Sequence, residues 1–337
     1  MRPDAWAALR GLPITVATDS GLINQTFVAG DPPRYVVQCV NPIFTPRVHE
    51  DIEAVTAHLA ARGMATPRLL RTDDGALCAI DVRPTGPADG EVWRVMDYVP
   101  GVTLHQVDSP TIAAAAARLV ARFHIALDDL EWTYRNVRPE AHDTVRHMQR
   151  LEATVSGDPT AADEPRRLAE GILAAWRRWE GRLDLPVQHA HGDLKISNLR
   201  FGPDGEGRCL LDLDTLAHLP LDVELGDAWR SWCNPVGEDA TTTRFDVEIF
   251  AASAQAYLAV RPLPADLRVC LVPGVERIAL ELAARFCRDV VEDRYFGWNP
   301  RRFPSRSAHN LHRALGQYAL AMDVRRQRAE AERRVIG

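Results

Sequence analysis

Apolar residues in the first hundred positions alternate mostly with polar ones, and the runs end in turn-forming residues. Residues 14–17 and 24–29 flank Asp19-Ser20-Gly21, a turn signal that predicts a β-hairpin. Asp31-Pro32-Pro33 breaks the chain before 34–40, a β-branched run. Over 50–62 the period changes: Ile52, Val55 and Leu59 recur at helical spacing, and Gly63 is placed as the stop. Residues 69–71 and 77–80 flank Asp73-Asp74-Gly75 and predict a second hairpin. Residues 92–96 read as a strand running into Asp97-Tyr98-Val99-Pro100-Gly101. The order is strand, strand, strand, helix, strand, strand: a small, mostly antiparallel lobe over residues 1–97.

Beyond Pro100-Gly101 the pattern becomes helical. Residues 111–127, 166–183, 243–260, 275–295 and 308–332 repeat Ala and Leu at intervals of three and four. Strand-like residues return only between 188 and 213, around the turn Gly202-Pro203-Asp204-Gly205, and 159–165 reads as a loop. The predicted class is α+β, a β-rich lobe with one helix followed by a larger, mainly helical lobe over 98–337.

Composition narrows the functional classes. A chain of 337 residues, 46% hydrophobic and 26% charged, has the length for two lobes and the apolar content for a core. Its formal charge of −6 argues against a nucleic-acid partner. No run approaches ~18 uninterrupted apolar residues, so no membrane span is expected. The start, Met1 to Trp6, carries Asp4 and lacks the apolar region of a signal peptide. Six cysteines (Cys39, Cys78, Cys209, Cys233, Cys270, Cys287) lie scattered without a Cys-x-x-Cys pair, the pattern of reduced thiols in a cytoplasmic protein. The basic run at 325–334 reads as a solvated helix end. Among 40 basic residues only Lys195 is lysine, so chemistry that needs a lysine must use it.

That lysine lies in His191-Gly192-Asp193-Leu194-Lys195-Ile196-Ser197-Asn198, followed by 199–201, the turn, and Cys209-Leu210-Leu211-Asp212-Leu213-Asp214. Folded as a hairpin, this segment brings Asp193, Asn198, Asp212 and Asp214 to one end of a ribbon. Three carboxylates there repel one another unless protons or a cation intervene. Hard oxygen donors suit Mg²⁺, which binds through one or two carboxylates together with substrate phosphates. Asp193 is then free to orient and deprotonate an attacking hydroxyl. A competing reading takes His189, His191 and Asp193 as zinc ligands of a hydrolase, completed by His124, His218 or His309.

The string HGDLKxxN closely resembles the HRDLKxxN catalytic loop of protein kinases, and Asp212-Leu213-Asp214 occupies the place of their DFG. With Gly226-Asp227-Ala228, it resembles the aminoglycoside phosphotransferase and choline kinase superfamily, over nearly the whole chain. Within that superfamily the likeness is closest to the N-acetylhexosamine 1-kinases. It is carried by 21–27 (GLINQTF), 35–41 (YVVQCVN), 212–215 (DLDT), and the tail from Arg285-Phe286 through Tyr295-Phe296 to His309-Asn310-Leu311 and Arg313-Ala314. Two departures are Cys39, where the family tends to carry Arg, and Gly316, which interrupts the usual ending.

The resemblance implies a bilobal protein-kinase-like fold, ATP and Mg²⁺ as cofactors, and a small-molecule acceptor, in a monomer or homodimer. It implies Asp193 as catalytic base and Lys195 as a point charge for the transferring phosphate. Asn198 and Asp212 would hold the metal, with Asp214 beside them facing metal and acceptor. The nucleotide would lie against Ser20, Gly21, Asn24, Thr26 and Gln38, with its adenine on the hinge Met96-Asp97-Tyr98-Val99. Gln38 stands where protein kinases carry the strand-three lysine, which leaves Glu50 and Glu53 without its charge as partner. His191 would position the loop and Asp227 would brace it. Arg285, Asp289, Tyr295, His309 and Arg313 would wall the acceptor side. The expected reaction is phosphorylation of a sugar hydroxyl, the anomeric one of a hexosamine first. An aminoglycoside or amino-alcohol acceptor is the alternative, for which Glu276, Glu281, Glu292 and Asp293 are suggestive. The missing lysine keeps a non-catalytic pseudokinase as a further class.

Overall fold

The computed structural model describes residues 3–17, 23–82, 90–138, 140–157 and 163–336. Five strands build the N-terminal sheet: β1 (Ile14–Val16), β2 (Gln25–Ala29), β3 (Tyr35–Val40), β4 (Ala79–Asp81) and β5 (Glu91–Asp97). Their order is β1-β2-β3-β5-β4, with every pairing antiparallel. Strand period 2 sorts the side chains. Val37, Trp93 and Val95 pack outward on Trp6 and Leu9, whereas Val36, Val40, Val92 and Met96 join the larger core. Helix α1 (Val48–Ala61) buries Val48, Ile52, Val55 and Leu59 in that larger core, each contributing roughly 1.5–3 kcal/mol.

Two sequence expectations change here. The turn at Asp73-Asp74-Gly75 forms, closed by the Thr72 N–H to the Ala76 carbonyl at 2.9 Å. Its flanks do not pair with each other, however, because both pair with β5: Leu69 bridges Met96 and Ala79 registers with Trp93. The expected phosphate-covering residues Ser20 and Gly21 lie outside the described residues.

The C-terminal part holds β6 (Val102–Thr103), α2 (Pro110–Leu127), α3 (Thr144–Gly157), α4 (Asp163–Arg177), β7 (Val187–Ala190), β8 (Leu199–Phe201), β9 (Gly207–Leu210) and β10 (Ala217–Pro220). Then come α5 (Leu221–Trp232), α6 (Val247–Val260), α7 (Ala265–Arg268), α8 (Leu271–Glu292) and α9 (Arg306–Ile336). Helix α2 is the one described helix long and apolar enough to cross a membrane, and most of it is buried against the other helices. Helix α4 stops at Arg177, short of the expected 183. Helices α3 and α5 were not legible as separate periodic segments. In α5 the charged Asp222, Glu224, Asp227 and Arg230 are buried with the apolar residues, so no polar face exists to betray its period. Gly316 lets the 236–244 loop approach α9: a Cβ there would stand 2.1 Å from the Ala240 carbonyl oxygen.

The mixed architecture, an antiparallel N-terminal sheet with one helix and a helical remainder, is the protein-kinase-like arrangement. Asp51 of α1 ties its two parts together, accepting Trp132 Nε1–H at 2.9 Å and the main-chain N–H groups of Arg135 and Asn136 at 2.8 Å.

Candidate active site

Strand β7 delivers the loop 191–198 and the β8–β9 hairpin returns the chain to its side. Leu199 registers with Leu210, and the Leu211 N–H continues the ladder to the Asn198 carbonyl at 2.7 Å. Gly192 begins the loop at φ +78°, and a Cβ there would stand 2.5 Å from the Thr215 carbonyl oxygen. Only glycine fits that approach.

The loop is held from behind. Glu224 accepts the N–H groups of His191 at 2.7 Å and Gly192 at 3.0 Å, and Thr215 Oγ1 donates to the His191 carbonyl. Burial opposes the charge of Glu224, but His124, His191 and these hydrogen bonds hold its carboxyl below the usual range. The His191 ring donates from Nε2 to the Leu211 carbonyl at 2.7 Å and accepts the Asp193 N–H at Nδ1, so one neutral tautomer satisfies both contacts. Trp232 Nε1 donates to the Leu194 carbonyl at 2.8 Å. The expected brace, Asp227, instead pairs with Arg230 at 3.0 Å; the direct anchor is Glu224.

On this frame Asp193 meets Lys195, Nζ to Oδ1 at 3.1 Å, and Asn198, whose Nδ2 donates to the Asp193 carbonyl at 2.8 Å and Oδ2 at 3.2 Å. Burial lowers the Lys195 pKa, yet the charges of Asp193, Asp227 and Glu238 outweigh it and the shift is upward. Asp212 takes the left-handed backbone at φ 58°, ψ 59°, uncommon for any residue but glycine. No hydrogen bond or ion pair to its carboxylate is found among the described residues. Burial, Asp214 and Asp193 push its pKa up to about 6. A half-buried carboxylate with no bonded partner suits a hard divalent cation, and Asp212, together with the carboxamide oxygen of Asn198, would hold Mg²⁺.

Asp214 is not available beside it as expected. Both its oxygens are taken by the Arg94 guanidinium, Nη2 to Oδ2 at 2.8 Å and Nη1 to Oδ1, and Asn24 Nδ2 donates to Oδ2 at 2.7 Å. Despite burial, the charge of Arg94 keeps the Asp214 pKa low. Gln38 accepts Arg94 Nε–H at 2.9 Å and donates to Thr26 Oγ1 at 3.0 Å. Arg94 was missed in the sequence. Its signal was a lone charge within the apolar strand Val92-Trp93-Arg94-Val95-Met96. Glu50 and Glu53 pair with Arg47, and with Arg68 and Arg71, away from this network.

At the hinge, the Asp97 N–H binds the Arg68 carbonyl, the Tyr98 N–H binds the Arg34 carbonyl, and the Val99 carbonyl accepts Arg200 Nε–H. These three groups are therefore spent on the fold, and Met96 is buried.

The acceptor-side expectations divide. Asp289 accepts the N–H groups of Arg294, Tyr295 and Phe296 and Asn310 Nδ2, so it caps the chain after α8. His309 bonds Asp239 at 2.9 Å and stacks on Phe303, while Arg313 binds Asp239 and the Gly297 carbonyl. These three fasten chain segments to one another. Arg285 lies over the rings of Tyr295 and Phe296 and 3.6 Å from Glu281, and Tyr295 is 63% exposed. Arg138, also missed, lies over Phe44 within electrostatic reach of Asp193 and Tyr295.

The zinc reading fails on the same accounting. His189 donates from Nε2 to the Leu130 carbonyl at 2.7 Å and its Nδ1 meets the Tyr134 hydroxyl at 2.9 Å, and His191 is committed as above. Among the described residues no three His, Cys, Asp or Glu side chains form a ready metal cage.

This fold and this site define the class, a kinase-like phosphotransferase. The chain belongs to the phosphotransferase enzyme family, which it matches over residues 15–263, and by that membership it is a small-molecule kinase. No curated protein matches it by sequence. Among solved structures it is similar to the microcompartment-associated aminopropanol kinase (TM-score 0.63, 15% identity, 98% of this chain and 96% of that one). It is similar also to choline kinase from Cryptosporidium parvum Iowa II (0.61, 13%, 98% and 95%). A third is amicoumacin kinase hAmiN in complex with AMP-PNP, Ca²⁺ and Ami (0.59, 13%, 91% and 87%). At such identities the likeness is one of fold.

Proposed function

We propose that this chain transfers the terminal phosphate of ATP, with Mg²⁺, to a hydroxyl of an uncharged sugar, the anomeric hydroxyl of an N-acetylhexosamine first. Residues 1–97 then carry the nucleotide, and 98–337 the hinge, the loop and the acceptor site. One observation favours a sugar over a polycationic aminoglycoside: of the four acids that would attract a polycation, all but the exposed Asp293 are already paired. Glu281 meets His142 at 3.3 Å, Thr144 Oγ1 at 2.6 Å and Arg285; Glu276 binds Arg325, and Glu292 binds Arg288 and Arg294. Arg285 and Tyr295 remain to read hydroxyls by hydrogen bonds.

Asp193, fixed by Asn198 and the anchored loop, accepts the proton of the acceptor hydroxyl as that oxygen attacks the terminal phosphorus; the bond to the ADP oxygen breaks. Lys195 balances the Asp193 charge and presents a cation to the phosphate. Asp212 and Asn198 would hold Mg²⁺, which when bound would supply positive charge against the phosphate oxygens.

The test is ADP release over a panel of hexosamines, other sugars, aminoglycosides and amino alcohols, with product NMR on each hit. Asp193→Asn should keep ADP binding and lose roughly 10²–10⁴ in turnover. A wild type that binds nucleotide yet consumes none with any acceptor returns the pseudokinase reading; turnover confined to aminoglycosides or amino alcohols overturns the sugar.

A further inference from the structure

Arg94 and Gln38 are register partners across β3 and β5, so both side chains leave the same face of the sheet. That face already carries the position where a kinase-type lysine is missing. The guanidinium is 1% exposed and its three nitrogens are all engaged, Nε with Gln38 and the two terminal nitrogens with Asp214. Arg94 is thus tied to protein partners through every nitrogen and buried, and acts through the carboxylate it holds.

That carboxylate is two residues beyond Asp212. Leu211, on the other side, is fixed at both main-chain groups, its N–H by Asn198 and its carbonyl by His191. Asp214 is fixed at both side-chain oxygens, and Asn136 Nδ2 donates to its main-chain carbonyl at 3.3 Å. Asp212 is thus suspended between two anchored neighbours in a left-handed conformation that nothing bonded to its own side chain maintains. Buried ion pairs contribute little net stability, so the Arg94–Asp214 pair is poorly explained as a fold-stabilising device. Its fork-to-carboxylate geometry does fix orientation.

We propose that Arg94 is the positioning residue of the metal site: it clamps Asp214 and so aims Asp212 at the nucleotide-bound cation. The positive charge of the absent strand-three lysine stands one strand over, and it meets a carboxylate instead of a phosphate. Its carboxylate partner has moved from the helix to the chain segment that carries the metal ligand. This inference rests on the phosphotransferase reading, through the role of Asp212.

The experiment compares wild type, Arg94→Lys and Asp214→Asn by calorimetry with ADP, once with Mg²⁺ and once with EDTA, beside thermal melting. A supporting partner of a metal ligand is worth about 10–100-fold in metal affinity. Arg94→Lys should therefore bind Mg·ADP about 10–100-fold more weakly while metal-free ADP changes less than about twofold. Asp214→Asn, which keeps the shape and removes the charge, should show the same selective loss, and it carries the test if Arg94→Lys does not fold. Unchanged Mg·ADP affinity in a folded variant overturns the proposal. So does equal weakening of both ADP forms, or failure of both variants to fold, the marks of a scaffold residue. A wild type that binds no Mg·ADP instead fails the phosphotransferase reading itself, which separates the two failures.

Discussion

Glu224 holds the main-chain N–H of His191 at 2.7 Å, from a helix that turns nearly all its side chains inward. A buried carboxylate bound to two loop N–H groups is an anchor whose removal leaves donors unsatisfied. Glu224→Gln keeps the shape but points an amide N–H₂ at one of them. It should cost about 1–3 kcal/mol in stability and lower kcat more than it raises the nucleotide KM. Thermal melting and steady-state ADP release check this; an unchanged kcat in the folded variant would contradict it.

Gly192→Ala places a Cβ against the Thr215 carbonyl in a backbone region that costs an L-residue roughly 1–2 kcal/mol before any clash. Because the strained residue precedes Asp193, turnover should fall further than stability accounts for. Activity measured well below the melting temperature separates the two effects.

Asp289 and Arg285 sit on the same helix and should fail differently. Asp289→Ala removes acceptors for three main-chain N–H groups and Asn310, and should lower the melting temperature sharply, for a stability loss of about 2–4 kcal/mol. Arg285→Gln should leave the melting curve near wild type and raise the acceptor KM. Equal stability losses in the two variants would count against Arg285 as an acceptor contact.

His49 gives a pH signature. Burial first, then the charge of Arg94, lowers its pKa from 6.5 to about 4, against weaker opposing effects of the Pro46 carbonyl and Asp214. Its Nδ1 faces the Pro46 carbonyl at 2.7 Å and its Nε2 is buried without a partner. Between pH 6.5 and about 4 the unfolded chain binds a proton that the folded chain refuses, so stability falls as pH falls through this window. The contribution reaches roughly 3 kcal/mol at the acid end. His49→Gln, neutral throughout, should flatten that slope in denaturant titrations from pH 7 to 4; an equal slope in both proteins would rule His49 out as its source.

Legibility followed the physics of each element. Helix α1 could be read because one side packs and the other meets polar surroundings, and the strands because short β-branched runs end in turn-forming residues. The loop from His191 to Asn198 and the hairpin after it were legible because their residue types and spacing are local. Helix α5 was not, since a helix buried on all sides carries no alternation, and its acids and arginine are inside because each finds a partner. The acceptor side was read too broadly. Asp289, His309 and Arg313 are the residue types a sugar site would use, and composition cannot show that their hydrogen bonds are already made.

The sequence by itself determined that one lysine exists, that it stands two places after Asp193, and that β3 offers Gln38 where a cation was expected. Those are facts of identity and short spacing. Only the tertiary structure decided that a cation stands beside Gln38 after all, Arg94, 56 residues beyond it, and that it binds both oxygens of Asp214. Which strand lies beside β3, and in which register, depends on the packing of the whole sheet. A residue's neighbour across a ladder is therefore fixed by the fold and is not written in the local sequence.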